Sequence, residues 1–115
     1  MNTEGFGTRI RRRRTELGLG LRETAKRANL SATFLSRVET GAEKAVPGED
    51  AIRRLAEVLQ ENFDDLMAAA GKVSSQVTDY VKGSPGMPEF LRQAQGRNVS
   101  VEKLMELLDK AKDEN

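Results

Sequence analysis

Between Leu21 and Gly41, in LRETAKRANLSATFLSRVETG, the apolar positions fall on two short helical stripes with a break between them. Ala25 is small where two helices must cross, and Leu30, Leu35 and Val38 recur at the three- and four-residue offsets that line one helical face. Residues between those positions are forced outward. The boundaries are marked chemically as well. The Ser31 hydroxyl is placed to accept from a backbone N–H near Phe34, and Gly41 tolerates a left-handed backbone just past a helix end. The pattern predicts a helix over about Ala32 to Thr40, preceded by a tight turn and a shorter helix.

The same spacing predicts helices on either side. One runs over about 8–17, with Phe6, Ile10 and Leu17 inward and Gly18 ending it. Another follows Pro47 and Gly48 and carries Ile52, Leu55, Ala56 and Leu59 at the offsets of a buried stripe. A further helix starts near Asn62, a suitable N-cap, and buries Phe63, Leu66 and Met67 before Gly71. Beyond Lys72 the character changes: SSQVTDYVKGSPGMPEF carries Gly, Ser and two prolines, which mark a boundary or hinge. Within it Val73, Val77, Tyr80 and Val81 suit a short amphipathic helix, and Pro88 suits the first turn of another bearing Phe90, Leu91 and Ala94. Ser100 is placed to cap VEKLMELLDKAK, whose Val101, Leu104, Leu108 and Ala111 lie on one side. No internal repeat or low-complexity tract is visible.

In succession, LRETAKRA, NLS and FLSRVETG resemble the Cro and lambda-repressor type of helix-turn-helix proteins, the XRE family. The resemblance spans roughly 6–71: FGTRIRRRRTELGL is similar to the family's first helix, AVPGEDAIRRLAEVLQ to its fourth and NFDDLMAAAG to its fifth. It implies an all-α fold with a five-helix lambda-repressor-like DNA-binding domain over 1–72. A Gly/Pro-containing linker with short helices is expected over 73–97, and an amphipathic C-terminal helix over 98–115. Asn29 stands at the turn where the family has glycine, and asparagine is the next best residue for positive φ. Thr24 replaces a leucine of the packing face, and Gly20-Leu21 replaces the polar helix start through which many relatives hold a phosphate.

Composition narrows the chemistry further. A chain of 115 residues, 37% apolar and 32% charged, suffices for one small domain plus an appendage. Four Phe, one Tyr and no Trp mean that the core is built from Leu, Val, Ile, Ala and Met. The lack of Cys and His removes disulfides, thiolate catalysis, most structural zinc sites and the commonest general base. Hence no metal or cofactor is expected, and an enzymatic reading loses most of its groups; acidic residues such as Asp64 and Asp65 are explained by the helix dipole. No apolar run reaches bilayer length, and MNTEGFGTRIRRRR lacks the apolar segment of a signal peptide, so no membrane partner and a cytoplasmic location are expected. Net charge is +1, with 13 Lys+Arg against 11 Asp+Glu in 1–72 and 6 against 7 in 73–115. Attraction for an anionic partner must come from where the charges sit.

The resemblance implies that the second helix of the motif enters the DNA major groove, with Ala32, Thr33, Ser36, Arg37 and Thr40 as base-reading candidates. Arg37 suits bidentate reading of a guanine, a contact worth about 1–3 kcal/mol of discrimination, and Thr33 and Ala32 suit thymine methyl groups. Phe34 sits at the edge of the stripe, facing either the core or a base or sugar. The run Arg11 to Arg14 cannot act as one clamp, because successive helical residues point about 100° apart. Arg9 and Arg13, four apart, are phosphate candidates instead, with Arg22, Lys44 and backbone N–H groups near Gly48. A bare Glu39 facing phosphates would be repelled. The resemblance implies an internal ion pair between Glu39 and Arg14, tying the first helix to the end of the recognition helix.

One module of this size binds weakly alone, whereas a two-fold dimer engages half-sites roughly 34–36 Å apart. The stripe of Val101, Leu104, Leu108 and Ala111 either packs on its own domain or forms a dimer or partner surface. The expected protein is a sequence-specific repressor that binds an inverted-repeat operator in double-stranded DNA as a homodimer. Its C-terminal segment offers a place for a regulatory protein partner. The alternative is an antitoxin-like or bridging protein whose main contacts are to another protein.

Overall fold

The computed structural model describes residues 4–42 and 46–113. These form helices α1 (Phe6–Glu16), α2 (Leu21–Arg27), α3 (Ala32–Thr40), α4 (Glu49–Leu59), α5 (Phe63–Ala69), α6 (Ser75–Gly83), α7 (Met87–Gly96) and α8 (Val101–Asp113), with no strand among the described residues. The chain divides into two compact units after Ser74.

The N-terminal unit is built around the stripes read from the sequence. Ile10 of α1, Leu35 of α3, Ile52, Leu55 and Leu59 of α4 and Leu66 of α5 are fully buried together, with Ala25 of α2 and Ala28 at its C-cap in the same core. Burying this apolar surface is the main term holding the short helices, since isolated segments of 7 to 11 residues are marginal in water. Phe34 and Phe63 pack against the cluster from its edge. Asn62 accepts from the Asp65 N–H at 2.9 Å, the N-cap expected for α5.

The first helix differs from expectation. It begins at Phe6 and so takes in Gly7, which reads as a poor helix residue. The reason is tertiary: Gly7 lies against the last turn of α3, where only a residue without Cβ fits.

Between α2 and α3, Asn29 adopts φ 56, the left-handed conformation the turn requires. The Leu30 N–H reaches back to the Ala25 carbonyl at 2.8 Å, and the Ser31 hydroxyl accepts from Phe34 N–H at 3.0 Å. Thr24 is completely buried, and its hydroxyl donates to the Gly20 carbonyl at 2.9 Å, which satisfies the polar atom within its own helix.

The stretch 73–97, expected as a linker with short helices, is mostly helix, and from Ser75 on it joins α8 in the C-terminal unit. Here the α7–α8 turn repeats the geometry of the α2–α3 turn. Asn98 takes φ 57, the Val99 N–H reaches the Ala94 carbonyl at 3.0 Å, and Ser100 caps α8 by accepting from Lys103 N–H at 3.1 Å. This repetition escaped the sequence reading because it rests on one shared spacing, Ala-x-x-x-Asn followed by an aliphatic residue and Ser.

Leu55 has no exposed surface. Its replacement by alanine is expected to cost about 2–5 kcal/mol of stability, against less than about 0.5 for Val73→Ala on the surface. Urea unfolding followed by far-UV circular dichroism checks both.

Candidate nucleic-acid interface

Along α3 the buried stripe of Leu35 and Val38 leaves an opposite face open to solvent. Thr33, Arg37 and Thr40 are exposed on it, while Ala32 and Ser36 are half-buried at its margins. Thr33, Arg37 and Thr40 therefore share the outer side of one helix, whereas Ala32 packs against the core. The Thr40 hydroxyl donates to the Arg37 carbonyl at 3.3 Å and keeps its lone pairs for an outside donor. Phe34 is half-buried and packs against the core.

This helix is gripped from behind. Arg14 of α1 forks onto Glu39, with Nε to Oε2 at 2.8 Å and Nη2 to Oε1 at 2.9 Å, and its Nη1 donates to the Leu19 carbonyl at 3.0 Å. The Glu39 side chain is only 4% exposed and that of Arg14 13%, so the pair is shielded and bidentate, the geometry that suits guanidinium best. Hydrogen bonding to Glu39 raises the Arg14 pKa above its already strongly basic ordinary value, against an opposing effect of burial. A group raised in the folded state contributes stability at all pH below its ordinary range and loses it only as pH climbs past the folded value. The cation therefore holds α3 unchanged around neutrality.

The remaining arginines of α1 divide among different partners. Arg9 meets Glu61, with Nε to Oε1 at 3.3 Å and Nη2 to Oε2 at 3.2 Å, and this hydrogen bond raises its pKa. Arg13 donates to the carbonyls of Leu59 at 2.9 Å and Gln60 at 3.5 Å, where α4 presents the negative end of its dipole. Arg12 lies between Glu4 and Glu16, at 2.8 and 2.6 Å. Arg9 and Arg13 are therefore engaged internally, unlike the phosphate-facing pair expected from their spacing. The reason is that the same i, i+4 face looks onto the end of α4, whose terminal carbonyls and the nearby Glu61 compete for the cations.

Of the other phosphate candidates, Arg22 is exposed in the first turn of α2, and Gly48 is the exposed N-cap of α4 with extended backbone, φ −69 and ψ 171. Glu49 and Asp50 follow directly in the first turn of α4. Lys44 lies outside the described residues. In the C-terminal unit, Val101, Leu108 and Ala111 are exposed and Leu104 is half-buried. Met105 and Leu107 join them as exposed apolar residues, Phe90 of α7 lines the same groove, and Leu91 of α7 is exposed as well.

Residues 6–70 match the family described as "Helix-turn-helix domain". The chain belongs to the helix-turn-helix domain family. In Bacillus subtilis (strain 168), the HTH-type transcriptional repressor RghR is 36% identical over 70 residues, 61% of this chain and 51% of RghR. The uncharacterized HTH-type transcriptional regulator RghRB is 30% identical over 81 residues, 70% of this chain and 58% of that protein. The chain thus spans about half the length of the curated relatives it matches. The solution structure of the DNA-binding domain of the P22 c2 repressor is similar with a TM-score of 0.51 and 30% identity, covering 57% of this chain and 84% of that domain. The SinR protein/SinI protein complex is similar with a TM-score of 0.52 over 93% of this chain and 94% of that one, and at 23% identity the likeness is of fold alone.

Two residues that position the helix-turn-helix escaped the sequence reading. Arg54 of α4 donates from Nε to the Ala28 carbonyl at 2.8 Å, fixing the end of α2 at the turn. Its partner lies 26 residues away, and no local pattern announces it. Gly7 lies one residue into α1, and the contact that requires it, with the last turn of α3, is tertiary.

Arg14→Ala would strand a shielded carboxylate and is expected to cost about 3 kcal/mol. Arg14→Lys, which keeps the charge but not the fork, is expected to recover only part of that loss. Thermal and urea unfolding of the two variants check the order.

Proposed function

We propose that this chain is a sequence-specific transcriptional repressor that binds an inverted-repeat operator as a homodimer, laying α3 in the major groove. The observation that carries the reading is the outer face of α3, with Thr33, Arg37 and Thr40 exposed on a helix anchored from behind by the Arg14–Glu39 fork. Base reading needs such rigidity, because a side chain reports the identity of a base edge only if its own helix is fixed. Arg37 supplies the guanine contact, Thr33 and Ala32 the thymine methyl contacts, and Ser36 and Thr40 complete the reading surface. Arg22 and the backbone N–H groups at the start of α4 near Gly48 hold phosphates and set the register. The similarity to RghR, which bears the name of a repressor, supports the sign of regulation.

Pairing of two chains falls to the C-terminal unit. Val101 is 70% exposed, Leu108 61% and Met105 53%, a run of apolar surface that a lone helical hairpin would have no reason to keep. The charges exposed on the same helix are mixed, Glu102, Glu106 and Asp109 against Lys103 and Lys110, so it is the apolar row that suits α8 to a protein surface. The same patch supports a second reading, in which a regulatory protein docks there and the chain acts as an antitoxin-like or bridging protein.

Selection from random duplexes is expected to enrich a palindrome whose half-sites lie roughly 34–36 Å apart. Arg37→Ala should relax one position of each half-site, costing about 1–3 kcal/mol there. Enrichment of no sequence by the folded protein would overturn the reading. In parallel, Leu108→Asp is expected to yield monomers in analytical ultracentrifugation. It should also weaken operator binding while leaving α3 folded, and a dimer that survived the change would place pairing elsewhere.

A further inference from the structure

Gly7 sits at the second position of α1, where a glycine weakens the helix and no turn requires one. Its φ is not left-handed, so conformational freedom does not explain it. Space does. A Cβ built on Gly7 would overlap the Val38 carbonyl oxygen and stand 3.0 Å from that of Glu39, both in the last turn of α3. These are backbone atoms that no rotamer change can move aside. Gly5 and Gly48, by contrast, have nothing within 4 Å of the same position.

Gly7 and Arg14 are seven residues apart, two helical turns, and so share the face of α1 that meets α3. Arg14 pulls on the Glu39 side chain, and Gly7 provides the backbone seat against which it is pulled. The seat touches Val38 and Glu39, immediately beside Arg37 and Thr40 on the outer face. We propose that Gly7 is a positioning residue for DNA recognition: it sets how closely α1 carries the end of α3, and through that the reach of Arg37 and Thr40 toward the base edges. The inference rests on α3 being the DNA-reading helix.

The test uses the full chain with Gly7→Ala, Gly5→Ala and Leu66→Ala. Leu66 lies in α5, fully buried, and its truncation destabilises the unit without touching Gly7. All measurements are made with enough trimethylamine N-oxide to keep each variant folded. The first readout needs no DNA. Amide spectra are expected to shift in Gly7→Ala at Val38 to Gly41 and at the Arg14 Nε, and to stay as wild type there in Gly5→Ala. The second is the ratio of affinities for the selected operator and for a random duplex. That ratio should fall roughly tenfold in Gly7→Ala, the discrimination one well-placed base contact supplies, with random-duplex affinity retained. In Leu66→Ala it should stay at the wild-type value.

An unchanged ratio in Gly7→Ala, or an equal fall in Leu66→Ala, would reduce Gly7 to a stability role and overturn the proposal. So would a Gly7→Ala chain that stays unfolded in the osmolyte, since a reset helix pair would then not exist. Should wild type select no operator, the DNA-reading role of α3 fails separately. The amide shifts then decide alone whether Gly7 sets the end of α3.

Discussion

A short helix presented to solvent has no intrinsic reason to hold still, and α3, at nine residues, is too short to be stable by itself. What fixes it is α1. The Arg14 fork on Glu39 attaches α1 to the last turn of α3 through two charge-assisted hydrogen bonds, in a setting where little water competes. Apolar burial of Leu35 and Val38 presses α3 inward but is nearly indifferent to rotation and slide. The fork and the Gly7 seat are directional, and they convert a packed helix into one with a defined register.

The arginine run of α1 shows how one segment serves several neighbours at once. Successive residues turn by about 100°, so Arg12, Arg13 and Arg14 are delivered to three different surroundings. Arg14 goes to α3, Arg13 to the carbonyl end of α4, and Arg12 to Glu4 and Glu16. Arg9 reaches Glu61 beyond α4. A cluster that looks in the sequence like a single basic patch is largely spent on joining elements. That explains how a domain with nearly balanced charge can carry so many arginines without a strong field.

Much of this was legible, and the boundary follows range. Ser31, Gly41 and Asn62 mark helix ends by chemistry acting over three residues, and the ends fall where those residues put them. The stripe of Ile52, Leu55, Ala56 and Leu59 is a period that any buried helix must show, and all four are buried. Arg14–Glu39 came from family resemblance and not from spacing, because its partners lie 25 residues apart. The engagement of Arg9 with Glu61 and of Arg13 with Leu59 was out of reach for the same reason: a side chain's partner across the fold is set by tertiary geometry, which local periodicity does not encode. Gly7 fell just outside the helix expected over about 8–17. Helix propensity argues against glycine in a helix, and a close helix crossing overrides it.

The two units share one turn geometry. Asn29 and Asn98 both take the left-handed conformation, Leu30 and Val99 both reach back to an alanine carbonyl, and Ser31 and Ser100 both cap the helix that follows. The turn fixes only how one helix leads into the next. What the second helix then does depends on its outer residues. In α3 these are Thr33, Arg37 and Thr40, whereas α8 exposes charges of both signs, Glu102, Glu106 and Asp109 with Lys103 and Lys110, beside Val101, Met105 and Leu108. The apolar row of α8 gains free energy only against another apolar surface. A single local geometry thus carries two different outer faces, and the difference between the units lies in side chains that the turn itself does not constrain.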